Sequence, residues 1–190
     1  MQSIHIISDN DDFIIVEKPA DVNFHDEGDI DNGFFNQVKR QGQFDDLFPV
    51  HRLDKMTSGL IIFAKNISAA QEFQQLFEQH KIEKYYLAIS DKKPKKKQGL
   101  VKGDMEKSRR GMWKLVRSQE KPAITQFFSY PLTAGKRLFL LKPHSGKTHQ
   151  IRVALTSIGS PIAGDPLYST QDSYKEKRGY LHAYALNFTF

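Results

Sequence analysis

At 190 residues the chain is long enough for one substantial core and too short to make two domains the default. It contains no cysteine, which excludes disulfides, thiolate nucleophiles and zinc–thiolate sites together. The formal charge of +6 points to an anionic partner, and its distribution is sharper than its sum: residues 1–50 carry 3 basic against 11 acidic side chains, whereas residues 91–117 carry 11 against 3. No apolar run approaches the twenty residues of a membrane span, and the N-terminus MQSIHIISDNDD lacks a basic-then-apolar signal, so the expectation is a cytoplasmic protein without a membrane segment.

In chain order, residues 3–7 and 12–17 read as two strands joined by the turn-forming Ser8–Asp11. The segment EKPADVNFH follows, and then a short helix is expected over 31–40, with Asp31 as N-cap and Phe34, Phe35 and Val38 facing inward. The block HRLDKMTSGL, His51 to Leu60, packs Arg52, Asp54, Thr57 and Ser58 into a polar loop that runs directly into the apolar strand Leu60–Ala64. A polar loop rooted in a buried strand is how a scaffold holds a reactive side chain rigidly at the edge of a core. The plain alternative is that Asp54 pairs with Arg52 or Lys55 on a solvated turn.

ISAAQEFQQLFEQH, residues 67–80, is an amphipathic helix whose stripe of Ala69, Phe73, Leu76 and Phe77 faces the core and whose His80 marks the helix end. Lys81–Ser90 reads as a strand, on which Tyr85 and Tyr86 must point to opposite faces. The basic segment from 91 begins as a lysine-rich loop at 92–97, and alternation around Trp113 makes 112–117 a strand. Further strands are expected at 122–130 and 137–142. KTHQIRVALTSIGSPIAGDPLYS, from Lys147 to Ser169, opens with a helix whose apolar positions are Ile151, Val153, Ala154, Leu155 and Ile158 and which Gly159 closes. On it His149 and Arg152, three apart, share a face, and an Arg there can keep Asp54 ionised. Asp165, inside Gly-Asp-Pro, reads as a turn former.

Other chemistries find little support. Gly-Lys-Thr at 146–148 lacks the glycine a Walker loop needs five residues before its Gly-Lys, where Leu141 stands. His144 and His149 have the wrong spacing for ligands on one helix face, so no metal is expected. Ser58 with His51 lacks a nucleophile elbow.

Taken together, the HRLD-x-x-TSGL block and the THQIR…GD-x-x-Y block resemble the RluA family of pseudouridine synthases, which isomerise uridine in RNA. KPAD resembles that family's KPAG, with Asp21 in place of the glycine; Lys84, Tyr86 and Ala88 match its K-x-Y-x-A strand, and KPAIT at 121–125 and Leu181-His182-Ala183 match further elements. The resemblance implies an α+β catalytic core on a mixed, largely antiparallel, curved sheet with flanking helices, as a single catalytic domain over 1–190. It also implies Asp54 as the catalytic carboxylate, Tyr86 stacking on the uracil with its hydroxyl near the sugar, and Arg152 orienting Asp54. Arg52, Lys147 and His149 are the candidates for RNA contact, through the vacated base stack or phosphate. The isomerisation needs no cofactor and no metal. The expected partner is ribosomal or transfer RNA and the expected state a monomer. No small N-terminal RNA-binding module is seen, and the chain stops at Phe190 where family members continue for another strand. The rival from another class is a non-catalytic RNA-binding or chaperone module that uses residues 91–117; a nucleoside hydrolase is weaker, having no need of that basic segment. Asp54, which would repel phosphate, has no place in a pure binder.

Overall fold

A computed structural model describes residues 3–28, 30–169 and 176–190. It is α+β and mostly antiparallel, with ten strands and three α-helices among the described residues. By its internal contacts the chain divides into two compact units, Met1–Ile82 with Leu186–Phe190, and Glu83–Ala185.

The first unit is built on β4 (Ser58–Ala64), whose apolar residues leave little accessible surface. β2 (Phe13–Lys18) pairs antiparallel with β4 in the register Val16↔Ile61 and Lys18↔Gly59, and β3 (Phe48–Pro49) also lies antiparallel to β4. β1 (His5–Asp9) pairs with β2. Alternation along β2 buries Ile14, Val16 and, in phase with them, Lys18. α2 (Ile67–Glu78) is capped by Asn66, whose side chain accepts the Ala69 amide at 2.8 Å. The helix ends where His80 turns left-handed (φ 53°) and the Lys81 amide reaches back to the Leu76 carbonyl. Ala69 and Phe73 of its stripe join Ile62, Ala64 and Ile82 in the core, where the rings of Phe13, Phe73, Phe188 and Phe190 contact one another.

α1 (Phe34–Gln41) starts later than the sequence suggests. Asp31 is not its N-cap: that position is Gly33, and Asp31 is left-handed (φ 68°) in the preceding loop. The capping carboxylate comes instead from Asp26, which accepts the amides of Asp31 and Gly33 and the side-chain amide of Asn36. These hydrogen bonds, the Gly33 amide foremost, hold its carboxyl below the usual 3.8.

In the second unit the strands β5 (Glu83–Ser90), β9 (Lys136–Pro143), β8 (Ala123–Thr133), β6 (Gln98–Lys107) and β7 (Trp113–Val116) lie side by side in that order, all antiparallel. A 3-10 turn, Arg109–Gly111, joins β6 to β7. α3 (Gln150–Ser157) packs beside them, and β10 (Leu181–Asn187) follows. β6 lies in the basic segment and has no clear sequence signature, because Gly99 and Gly103 interrupt its alternation. Gly103 is needed for proximity: a Cβ there would press on the Val116 carbonyl of β7.

Candidate active site

The loop from His51 to Thr57 hangs between β3 and β4. Leu53 and Met56 are buried, Arg52 and Lys55 are exposed, and Asp54 between them is half-buried. The two apolar side chains thus anchor the loop on either side of the carboxylate. The Thr57 amide donates to the Asp54 carbonyl at 3.0 Å, closing a turn. Lys18 reinforces the arrangement from beneath. It is fully buried, and its ammonium donates to the carbonyls of Pro19 (2.9 Å), Lys55 (3.0 Å) and Thr57 (2.9 Å). A lysine has three N–H donors, so this cage satisfies all of them and ties the strand β2 to the residues that follow Asp54. At the other end, His51 Nε2 accepts the Ile62 amide at 2.9 Å while its ring packs on Phe77 at 5.0 Å. In the sequence Lys18 stands out only through the KPAD resemblance; its signal is a charge in phase with the apolar Ile14 and Val16.

In the second unit β5 separates its two tyrosines. Tyr85 lies on the face of Glu83, its ring under the Lys142 ammonium at 5.3 Å, with Lys142 and Glu83 paired at 2.6 Å. That carboxylate raises the Lys142 ammonium above the usual lysine value. Tyr86, paired across to Leu141, lies on the opposite face with Lys84, Ala88 and Ser90. Burial holds the Lys84 ammonium below the ordinary lysine value.

α3 carries Arg152, and here the sequence picture needs amending. His149 is not on a shared helical face with it: it precedes the helix in a left-handed conformation (φ 55°). The two converge on Tyr168 instead. His149 Nδ1 lies 2.9 Å from the Tyr168 hydroxyl, and the Arg152 guanidinium carbon 5.1 Å from the Tyr168 ring centroid. Asp165 is also more than a turn former. Its oxygens accept from Arg152 Nε and Nη2, both at 2.8 Å, and from the amides of Leu167 and Tyr168. Gly164 must be glycine: at φ 76°, a Cβ would collide with the Arg178 carbonyl. The Tyr168 hydroxyl also accepts the Trp113 amide of β7 at 2.8 Å.

Gln150 pins the loop before α3. Its Oε1 accepts from the Ser145 hydroxyl (2.7 Å) and the Lys147 amide (3.0 Å), and its Nε2 donates to the Ile124 carbonyl and Thr125 hydroxyl of β8. Lys147 is exposed, and its charge helps lower the carboxyl of Asp104, after the Ser118 side chain and the Glu120 and Lys121 amides. Of the candidate residues, Arg52 and Asp54 thus belong to the first unit and Tyr86, Lys147, His149 and Arg152 to the second. Lys18, Asp165, Tyr168 and Gln150 were missed as site residues. Among the described residues no group of three or more His, Asp or Glu is placed to hold a metal, and no helix is long and apolar enough to cross a membrane.

A conserved-domain profile described as RNA pseudouridylate synthase matches residues 12–157. An uncharacterised RNA pseudouridine synthase of Haemophilus influenzae is 48% identical over 187 residues, covering 98% of this chain and 83% of that protein. The ribosomal large subunit pseudouridine synthase D of Nitrosomonas europaea is 32% identical over 200 residues, covering 98% of this chain and 58% of the relative. Among solved structures, human RNA pseudouridylate synthase domain containing 1 superposes with a TM-score of 0.81 at 27% identity, over 96% of this chain and 77% of the human one. Fold and relatives together define an RNA-modifying isomerase. The chain belongs to the RNA pseudouridine synthase family, in its RluA-type branch.

Proposed function

We propose that this protein converts a uridine of structured RNA to pseudouridine with Asp54 as the catalytic carboxylate, and that the whole of residues 1–190 is its catalytic domain. The reaction breaks the N1–C1′ bond, turns the uracil, and joins C5 to C1′; the proton lost from C5 is matched by the one gained at N1, so neither oxidant nor water is consumed. The carboxylate is suited to attack carbon, to stabilise cationic character at C1′, or to move a proton. What supports Asp54 is its mounting: it is the acid of a loop fixed by buried Leu53 and Met56 and by carbonyls gathered on the buried Lys18 ammonium. Preorganisation of this kind is what a reacting group requires.

The uridine must leave its stack to be reached. Tyr86 stacks on the extruded base, and Arg152, fixed by Asp165, brings a positive charge to the catalytic step. Arg52, Lys147 and His149 contact the RNA, with Arg52 filling the vacated stack or binding phosphate. Ribosomal RNA is the first substrate to test, because relatives such as that of Nitrosomonas europaea are named for the large ribosomal subunit. The protein acts in the cytoplasm as a monomer. The test is a pseudouridine map of cellular RNA with and without the gene, repeated with Asp54→Asn. One or more sites should vanish in both strains. A map unchanged by deletion overturns the function, and a folded Asp54→Asn protein that restores the sites overturns the role of Asp54.

A further inference from the structure

Lys84 carries a charge with no counterpart among the described residues. Its side chain is half-buried, and among the described residues no hydrogen bond or ion pair engages its ammonium. Two lysines of the neighbouring strand β9 are treated differently: Lys142 is paired with Glu83, and Lys136 with both Asp91 and Glu176. Withdrawing an unpaired ammonium from water costs stability, which is consistent with the lowered affinity for its proton.

Two features surround that ammonium. Lys84 shares a face of β5 with Tyr86, two residues and about 6.6 Å further along the strand. Across from it is Gly146, where a Cβ would stand 3.6 Å from Lys84 Nζ. Gly146 is not held left-handed, so its conformation does not demand glycine. Its lack of a side chain leaves the ammonium uncovered. Among the described residues its amide takes part in no hydrogen bond, and from the covalent geometry it lies within about 6 Å of Lys84 Nζ. The loop is rigid because Gln150 binds Ser145 and Lys147 on either side.

We propose that Lys84 and the Gly146 amide form a phosphate subsite that takes one phosphodiester of the RNA beside the nucleotide stacked on Tyr86. The inference rests on the function proposed above. A tetrahedral anion between a charged donor and a fixed amide would satisfy both, and it would restore to the ammonium the interactions lost on burial.

The test uses a fluorescently labelled RNA hairpin with a uridine loop, bound by the full chain over a range of salt concentrations. Lys84→Met should weaken binding and reduce the log–log salt slope by about 0.7–0.9, the share of one phosphate, while melting no lower than wild type. Lys84→Arg should keep the slope. Replacing loop phosphates one at a time by neutral methylphosphonates should find a position that weakens wild type and has no further effect on Lys84→Met. Gly146→Val, which covers the ammonium, should reproduce the loss and serves if Lys84→Met does not fold. A slope unchanged in Lys84→Met, or methylphosphonate effects that add to it at every position, overturns the subsite. Conversion of the hairpin is scored separately: binding that shows the subsite in a protein that forms no pseudouridine would reject the enzymatic reading and keep the phosphate site.

Discussion

Arg152 and Asp165 hold each other through two parallel hydrogen bonds of 2.8 Å, with the side chains 5% and 0% exposed. A bidentate guanidinium–carboxylate pair fixes the plane of the arginine as well as its position. Removing one partner leaves the other charge buried. Arg152→Met or Asp165→Leu alone should therefore destabilise the protein by about 3–5 kcal/mol, whereas the double variant should recover most of that loss. Urea denaturation of the four proteins checks this; additive losses would show that the pair is not coupled.

Lys18 should behave as a structural cation with a catalytic consequence. Lys18→Met leaves three carbonyls, that of Thr57 buried, without their donor, at a cost of about 3 kcal/mol. RNA affinity should change little and single-turnover conversion should slow, because the loop that presents Asp54 loses its anchor. Wild-type conversion by a folded Lys18→Met protein would show that the loop is held by other means.

The two neighbouring tyrosines should separate in kinetics. Tyr86→Phe keeps the stacking ring and should bind RNA normally but convert it slowly, if the hydroxyl moves a proton at the sugar. Tyr85→Phe, on the face occupied by Glu83 and Lys142, should match wild type. Single-turnover rates at saturating enzyme decide it: a slow Tyr85→Phe would exchange the roles, and two fast variants would leave the hydroxyl without a chemical part.

Asp26 gives a pH dependence. Its folded-state carboxyl sits below the usual 3.8, chiefly through the Gly33 amide. A group with a depressed folded pKa contributes stability above its unfolded value and loses it as pH falls through the folded one. Asp26→Asn should accordingly melt below wild type at pH 5–7, and the gap should narrow as pH falls below 3.8 and close once the folded carboxyl also takes up its proton. A gap that persists undiminished at pH 2 would assign the effect to something other than ionisation.

The elements with a strong period are legible in the amino-acid sequence. The stripe of α2, the alternation that sets Tyr85 against Tyr86, and the linear blocks around Asp54 and Arg152 all depend on residues close in sequence. What was hidden depends on tertiary context. Lys18 looks like a strand-end charge until β4 brings the Lys55 and Thr57 carbonyls over it. Asp165 sits in a sequence that makes turns, and it does accept the Leu167 amide as a turn would, so nothing local announces its hold on Arg152. β6 was obscured by glycines that only the closeness of β7 explains. Asp31 was the nearer capping candidate for α1, but the loop delivers Asp26 from five residues further back.

Tyr168 has a mechanical implication. One hydroxyl takes the first amide of β7 and reaches the ring of His149, while its own aromatic face lies along Arg152. The basic hairpin of β6 and β7 is thereby latched to the start of α3 at a single oxygen atom. Hydrogen bonds of this length tolerate little stretching, so a pull on the hairpin of even an ångström must either break the latch or drag His149 along. Tension from a polyanion gripping the hairpin therefore has a short, stiff route to the arginine, and Tyr168→Phe cuts that route while leaving the ring in place.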